Sequence, residues 1–304
     1  MRNPTTGILL KLGSVALFTA MAAILKGTAA AVPAGEQMFF RSLFGIPVIL
    51  VWLALRGELA TGLHTANPMS HAYRGIVGSI SMGCTFAGLG LLPFPEATAL
   101  GYAMPLMIVI FAAMFLNERV GVFRLSMVAL GLAGVLIVLS PRLSVGVGDV
   151  SASQSLGAVL ALTGASFGAL AQIFISRMVL TEKPSAVVFW FLATSTVLSL
   201  VTLPFGWRVP DAGTAALLVA AGVMGGAAQI MLTSSYRFAD ASLVAPFDYA
   251  SMLLAMAIGW FVFAEPTSGR MLAGAAVIIA AGVAIILRER QLGINRARRA
   301  ETPR

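Results

Sequence analysis

The feature that most constrains this chain is a succession of long apolar runs, about ten in number. Each is close to the roughly 20 residues that an α-helix needs to cross the hydrocarbon core of a bilayer. Backbone polar groups inside lipid must bond within their own segment, so spans of this kind form helices. The runs lie near 7–27, 37–55, 74–91, 97–116, 121–140, 155–176, 185–205, 213–235, 242–263 and 269–287.

Composition supports the same class. Of the 304 residues, 59% are hydrophobic and only 11% are charged, and the mean hydropathy is +0.92. A chain with this balance is typical of polytopic membrane proteins, and its spans leave no length for a sizeable soluble domain. The sequence therefore predicts an all-α integral membrane protein with ten transmembrane helices that are embedded in the lipid bilayer.

The two halves of the chain resemble each other. Tyr102 and Tyr249 precede Glu118 and Glu265 by the same spacing, and a Gly- and Ser-rich stretch at 141–154 separates the halves. Each half has five spans, and this odd number makes the second copy enter the membrane from the opposite side. Inverted repeats of this kind occur in many secondary transporters. The predicted units are a first repeat at 1–140, a linker at 141–154, a second repeat at 155–288 and a basic tail at 289–304.

Positive charge is distributed unevenly along the chain. The net charge is +8 and the pI is about 10.5, but the Lys and Arg residues lie in short loops and in the tail. This is the positive-inside bias of membrane proteins rather than a nucleic-acid-binding surface, so we expect no nucleic acid partner. With Arg74 counted on the cytoplasmic side, the bias predicts a multi-pass protein of the bacterial inner membrane with both termini in the cytoplasm. The tail is either a binding patch for anionic lipid or a stop-transfer anchor.

No catalytic or metal-binding motif stands out. The sequence has no phosphate-binding glycine loop, no nucleophile elbow and no His pair at metal-ligand spacing. His64 and His71 are expected to be solvated loop residues, and Cys84, the only cysteine, is expected to be a buried thiol. The sequence thus predicts neither an enzyme nor a metal or cofactor site.

Polar and aromatic residues inside the spans are the candidates for function. Asp248 lies between Phe247 and Tyr249, just after Pro246. An ionisable group within a span is by default a functional hypothesis, so Asp248 is predicted to pair with a cation or to take up a proton. The alternative is an aspartate hydrated at the cytoplasmic membrane face. Tyr102 and Tyr249, one from each repeat, are predicted to line a central pocket and to stack on a planar ligand, with helix packing as the alternative.

Four further residues complete the predicted substrate site. Glu36 and Arg41 begin the second span, where Arg41 either pairs with Glu36, meets a ligand carbonyl or anion, or snorkels to the interface. Gln172 and Gln229 are expected to be buried amides that bind ligand or join helices.

Three charged residues near span ends are expected to be structural instead. We expect Lys11 and Lys26 to snorkel, and we expect Glu265 to cap the next helix or to pair with Arg270.

Taken together, these patterns resemble the drug/metabolite transporter superfamily, and within it the EamA-type branch with ten helices. The resemblance extends over roughly 7–288 and implies a central cavity lined mainly by the first, third, fourth, sixth, eighth and ninth helices. Within that branch, the chain is similar to the group that includes proteobacterial riboflavin carriers. The segments that carry this similarity are PAGEQMFFRSLFGIP, GLGLLPFPEATALGYAMPL and APFDYASMLLAMAIGW.

The resemblance implies a secondary transporter that moves a small metabolite by alternating access. Riboflavin or a similar planar aromatic metabolite is the first expectation. Exporters or exchangers of amino acids or S-adenosylmethionine share much of the pattern and remain the alternative. A non-transporting membrane receptor or a membrane enzyme is the other class, and a homodimer stays open.

Overall fold

A computed structural model of the chain describes residues 4–116, 121–143, 152–178, 181–238 and 245–301. Twelve α-helices and one 3-10 helix form within these residues, and no strand occurs among them. In chain order they are α1 (Pro4–Thr28), α2 (Ala34–Leu55), α3 (Leu59–Gly62), α4 (Pro68–Leu91), α5 (Phe94–Gly101), α6 (Ala103–Leu116), α7 (Val122–Leu143), α8 (Ala152–Met178), α9 (Pro184–Leu200), α10 (Ala212–Phe238), the 3-10 helix Ala245–Tyr249, α11 (Ala250–Phe263) and α12 (Gly269–Glu301).

The helices have the length and apolarity of membrane spans, which confirms the predicted all-α membrane class. Six stretches are long and apolar enough to cross a bilayer: Thr5–Thr28, Ala34–Leu55, Phe94–Phe111, Ala152–Ile175, Ala212–Leu232 and Gly269–Arg288. Three shorter apolar helices cover Leu125–Val138, Pro184–Leu200 and Phe247–Phe263. The third span, α4, is equally long but carries His71 and Arg74 among several serines and glycines.

The packing of the spans follows the repeat. When each span is replaced by its counterpart in the other half, every packed pair named below becomes another packed pair or stays the same pair. The first and sixth spans are α1 and α8, and the third and eighth are α4 and α10. Helix α1 packs on α10, and α4 packs on α8 in the same way. Helix α2 packs on its own counterpart α9, and α7 packs on its counterpart α12. This exchange is the arrangement that two inverted repeats produce.

The contact between α7 and α12 depends on glycine. A Cβ atom on Gly134 would lie 2.9 Å from the carbonyl oxygen of Gly274, and one on Gly274 would lie 2.7 Å from the carbonyl oxygen of Gly134. The two backbones therefore touch directly, as small residues allow between membrane helices.

Two spans predicted as continuous are interrupted. The fourth span breaks at Tyr102, where α5 ends and α6 begins. Pro105 explains the break, since it has no N–H to donate to the carbonyl of Gly101 and its ring would clash with that carbonyl. The ninth span opens with a 3-10 helix that contains Pro246 before it continues as α11. Both interruptions lie at the equivalent tyrosines of the two repeats.

Some boundaries also differ from the prediction. The seventh span ends at Leu200 rather than at 205, and α12 continues through the basic tail to Glu301. Helix α4 begins at Pro68, six residues earlier than predicted, with the Asn67 side chain accepting the N–H of Ser70 as an N-cap. Glu118, Asp240 and most of the predicted linker lie outside the described residues.

Candidate functional site

A cavity of about 290 Å³ lies between α1, α4, α5, α6 and α8. This volume is at the lower end of the range for small-molecule sites. Three hydroxyls lie in this largely apolar lining. Ser81 Oγ donates across to the carbonyl of Gly164 on α8, and Thr98 Oγ1 donates to the carbonyl of Phe94 in its own helix. The lining residues are Met21, Ala22, Ser81, Thr85, Phe86, Leu89, Phe94, Ala97, Thr98, Gly101, Met104, Ala161, Gly164 and Ala165.

Six spans were predicted to line a central cavity. The lining of this cavity comes from four of them, namely the first, third, fourth and sixth. None of the eight residues predicted to bind substrate is among its lining residues. Of the predicted ninth-span residues, Asp248 instead contacts Lys11 on α1, and Tyr249 contacts Tyr102.

Helix α1 is joined to the ninth span by an ion pair near each of its ends. Lys11 Nζ lies 2.7 Å from Asp248 Oδ1, and Lys26 Nζ lies 3.0 Å from Glu265 Oε1. The two lysines are separated by about 22 Å along the helix axis, at the α-helical rise per residue. The expectation that both lysines snorkel is wrong, because their ammonium groups bind acids of another span and the Lys11 side chain is buried. Asp248, whose side chain is half-exposed, does pair with a cation, one of the two roles predicted for it.

Glu265 joins three elements at the other end of α1. Its Oε2 accepts the backbone N–H of Phe94 at 2.6 Å, so the carboxylate also caps the start of α5. A negative group is favourable there, since the first N–H groups of a helix have no partner within it. Lys26 Nζ completes the cluster with a bond to the carbonyl of Leu92. Glu265 thus caps α5 and pairs with Lys26, whereas the expectation was a cap on the helix that follows it or a pair with Arg270, which is exposed.

The two equivalent tyrosines contact each other. Their ring centroids are 5.2 Å apart with an interplanar angle of 64°, an edge-to-face arrangement. The Tyr102 hydroxyl bonds Ser251 Oγ, whose own proton goes to the carbonyl of Asp248. The Tyr249 hydroxyl lies against Gly282 on α12. A planar ligand therefore has no room between the two rings in this conformation, which corrects the predicted stacking slot, while a role of either tyrosine in binding stays a prediction.

The remaining predicted residues are dispersed. Phe247 is half-buried, and Gln229 is half-buried beside a small crevice between α2, α9 and α10. Gln172, expected to be buried, is exposed on α8. Glu36 is buried, but its Oε2 accepts the backbone N–H of Arg208 at 3.1 Å rather than pairing with Arg41.

Arg41 does not snorkel. It is 7% exposed, and its guanidinium carbon lies 5.9 Å from the ring centroid of Phe191 on α9. Arg74 is 9% exposed and stacks on the same ring at 3.8 Å. Sequence reasoning did not identify Arg74 as a buried residue. The span was predicted to start at residue 74, so Arg74 was counted among the cations on the cytoplasmic side. The earlier start of α4 puts it two turns inside the helix, and no pattern in the sequence marks that start beyond Asn67-Pro68.

A polar cluster fixes the loop that precedes α4. Glu182 Oε1 accepts Thr65 Oγ1 at 2.9 Å and the backbone N–H groups of Ala66 and Asn67 at 3.0 and 3.1 Å. Burial raises the pKa of Glu182, but these hydrogen bonds outweigh it and hold that pKa below its usual value. His71 Nε2 lies 3.5 Å from the other carboxylate oxygen, and this histidine is buried rather than solvated as expected.

Cys84 and the acidic and histidine side chains form no metal site among the described residues. Cys84 is partly exposed rather than buried. Among the residues that the structure describes, no three His, Cys, Asp or Glu side chains come together as metal ligands would.

Helices of membrane-spanning length, ion pairs between spans and a cavity among them are the architecture expected of a membrane transporter of a small molecule. The comparisons with known proteins agree with that class. The profile of the EamA-like transporter family matches residues 5–140 and 155–288, once for each repeat. The chain belongs to this family, and it is a multi-pass bacterial membrane transporter rather than an enzyme.

Curated relatives match over most of their length. A pseudopaline exporter of Pseudomonas aeruginosa is 29% identical over 92% of this chain and 95% of its own length. A riboflavin transporter of Rhizobium johnstonii is 32% identical over 85% of this chain and 83% of its own. An S-adenosylmethionine uptake transporter of Rickettsia felis is 28% identical over 84% of both. A solved crystal structure has the same fold with a TM-score of 0.65, covering 95% of this chain and 99% of its own at 22% identity.

Proposed function

We propose that this protein moves its substrate through the cavity between α1, α4, α5, α6 and α8, in the bacterial inner membrane with both termini in the cytoplasm. The observation that carries the proposal is the position of α1. It forms one wall of the cavity through Met21 and Ala22, and it is held to the ninth span by an ion pair near each end. A wall fixed at two opposite points, each breakable, suits a carrier that opens to one side at a time.

In the proposed orientation the two ion pairs act on opposite sides. Lys11 and Asp248 hold the cytoplasmic end of α1, and Lys26 and Glu265 hold the outer end. Opening toward the cytoplasm separates the first pair while the second persists, and opening outward does the reverse. In this scheme α1 of the first repeat, 1–140, moves against the ninth span of the second repeat, 155–288.

Riboflavin or a similar planar aromatic metabolite is the first candidate substrate. Its support is the riboflavin transporter of Rhizobium johnstonii, together with a mostly apolar cavity that has a few hydroxyls to orient a polar edge. The second candidate class is a metabolite with an anionic group, such as S-adenosylmethionine or an amino acid. Its support is the relative from Rickettsia felis and the two buried arginines Arg41 and Arg74.

Uptake in a riboflavin-auxotrophic bacterium tests the substrate and the route together. The chain is expected to restore growth on low riboflavin and to accumulate the labelled vitamin. Ala22→Phe, which places a ring in the cavity, is expected to abolish this gain, whereas Ala257→Phe on the exposed face of α11 is expected to preserve it. No gain over empty vector removes riboflavin, and equal uptake by both variants removes this cavity as the route.

Two other assignments are open to direct measurement. A receptor that binds without transport would show ligand binding in reconstituted vesicles but no flux. A homodimer stays a prediction that the mass of the detergent-solubilised protein checks.

A further inference from the structure

Two arginine side chains are buried together in the first repeat without a carboxylate. Arg41 on α2 and Arg74 on α4 are 7% and 9% exposed. The Nε and Nη1 atoms of both guanidinium groups are buried and have no hydrogen-bond partner. Within the described residues neither forms an ion pair, and the acid nearest in sequence to Arg41, Glu36, accepts a backbone N–H instead.

Such an arrangement is costly unless something else compensates it. A buried charge without a partner loses its hydration, and intramembrane arginines normally pair with an acid or with carbonyl groups. Two like charges close together add repulsion. In this structure both guanidinium groups lie against one ring, that of Phe191, with Arg74 stacked at 3.8 Å and Arg41 at 5.9 Å. Cation–π attraction of this kind offsets only part of the lost hydration.

The surrounding backbone makes room for these groups. A Cβ atom on Gly78, one turn after Arg74, would collide with Arg74 Nη1 and would lie 2.8 Å from Phe191 Cε2. A Cβ atom on Gly225 of α10 would lie 3.3 Å from Arg41 Nε. Glycine at both positions leaves the space that the two guanidinium groups occupy.

The pair lies beside the cavity. Met21, which lines the cavity, approaches the same face of Gly225 as Arg41 Nε. Phe191 packs against the apolar cluster that contains Met21 and Phe86, another lining residue. Neither arginine is among the lining residues, but Met21 and Phe86 connect the cavity to the two side chains through shared neighbours.

We propose that Arg41 and Arg74 form the binding site for an anionic oxygen group, a carboxylate or a phosphate, of the transported metabolite. Guanidinium groups present planar, forked donors that match both groups. The anion supplies the counter-charge that the described residues lack, and Phe191 keeps the two donors in place when the site is empty. The inference rests on the proposed function and narrows its substrate class.

Binding to purified full-length protein tests the proposal with two matched pairs of probes. One pair is S-adenosylmethionine and its decarboxylated analogue, and the other is riboflavin 5′-phosphate and riboflavin. In at least one pair the anionic member is expected to bind at least tenfold more tightly to the unmodified protein. Arg41→Met and Arg74→Met are each expected to remove this difference, and Arg74→Lys, which keeps the charge but not the fork, is expected to weaken it. The carboxylate pair and the phosphate pair distinguish the two anions.

Arg56→Met is the matched control, since Arg56 is exposed and also stacks on an aromatic ring, that of Trp52 at 4.4 Å. It is expected to leave binding unchanged.

Thermal unfolding of the ligand-free protein adds a measurement that needs no ligand. Removing an uncompensated buried charge is expected to keep or raise the unfolding midpoint in Arg41→Met and Arg74→Met.

Three results overturn the proposal. The first is the absence of any difference within both pairs, and the second is a difference that survives both methionine substitutions. The third is a clear fall in the ligand-free midpoint of both variants, which marks the arginines as satisfied structural groups. Flux of riboflavin in vesicles with no preference for anions rejects the arginine site but leaves the transport function standing. A preference for anions in binding without flux of any probe rejects the transport proposal and leaves the site.

Discussion

The ammonium group of Lys11 lies 2.7 Å from Asp248 Oδ1, and this contact ties α1 to the 3-10 helix that opens the ninth span. The backbone carbonyl of Asp248 also accepts a hydrogen bond from Ser251 Oγ. Ser251 Oγ in turn accepts a hydrogen bond from the Tyr102 hydroxyl. The interruptions of the fourth and ninth spans are therefore joined to each other and to α1. Asp248, predicted to pair with a cation or to take up a proton, pairs with Lys11 and is part of a connected network.

Asp248→Asn is expected to lower the stability of the protein by about 1–3 kcal/mol, less than for a fully buried pair because half of the Asp248 side chain is exposed. The reason is that the buried Lys11 ammonium loses its carboxylate. Thermal unfolding in detergent measures the change, with Glu58→Gln at an exposed loop position as the control. The double variant Lys11→Met/Asp248→Leu is expected to recover most of the loss. An Asn variant with full stability whose flux no longer responds to a pH gradient would instead assign a coupling proton to Asp248.

Glu265 is expected to be more sensitive to alanine than to glutamine. Glu265→Gln keeps an oxygen that accepts the N–H of Phe94 but loses the charge that pairs with Lys26, whereas Glu265→Ala loses both contacts. We expect the alanine variant to be less stable than the glutamine variant by about 1 kcal/mol, the usual contribution of a hydrogen bond. Thermal unfolding of the two variants checks the order. Equal stability would mean that the cap on α5 contributes nothing.

Gly282→Ala is expected to disturb Tyr249, because the new methyl group would occupy the position of the tyrosine hydroxyl. Overpacking of this kind typically costs about 1–3 kcal/mol. Adding Tyr249→Phe removes the hydroxyl and is expected to restore part of the stability, in a double-mutant cycle followed by thermal unfolding. Strictly additive effects of the two substitutions would contradict this contact.

The hydrogen bonds to Glu182 predict a specific pH dependence. Its pKa is held below the usual value in the folded protein, so the stabilisation is complete above the unfolded-state pKa of about 4.3 and is lost as the pH falls through the folded-state pKa. The unmodified protein is therefore expected to lose more stability on acidification below about pH 4.3 than Glu182→Gln does. Unfolding at a series of pH values, with Glu58→Gln as the exposed control, measures both slopes. Parallel profiles for the unmodified protein and Glu182→Gln would contradict the account.

The fold could be predicted because it depends on properties that are local in the sequence. Apolar length gives the spans, and the recurrence of Tyr102 and Tyr249 at the same spacing before Glu118 and Glu265 gives the repeat. The interruptions at the tyrosines were less visible, because Pro105 and Pro246 indicate a kink but not where the helix ends.

The contacts of the charged residues could not be predicted in the same way. Lys11 and Lys26 have the positions of snorkelling residues, and only the packing of α1 against the ninth span shows that each meets an acid about 240 residues away in the sequence. The apolar run begins only at residue 74, whereas the first six residues of α4, from Pro68, mix polar and apolar types, so hydropathy does not place Arg74 inside the helix. The partners of a buried charge depend on which helices are adjacent, and neighbouring sequence does not contain that information.

Counterflow in proteoliposomes tests the central claim, transport by alternating access through the cavity beside α1, most directly. Vesicles that contain the purified protein are preloaded with unlabelled riboflavin or S-adenosylmethionine, and the initial uptake of the same labelled compound is measured. For at least one of the two compounds we expect preloading to accelerate uptake, because the carrier returns loaded, and we expect Ala22→Phe to abolish the acceleration while Ala257→Phe keeps it. Binding without flux, or flux that preloading leaves unchanged and that Ala22→Phe does not reduce, would contradict the account.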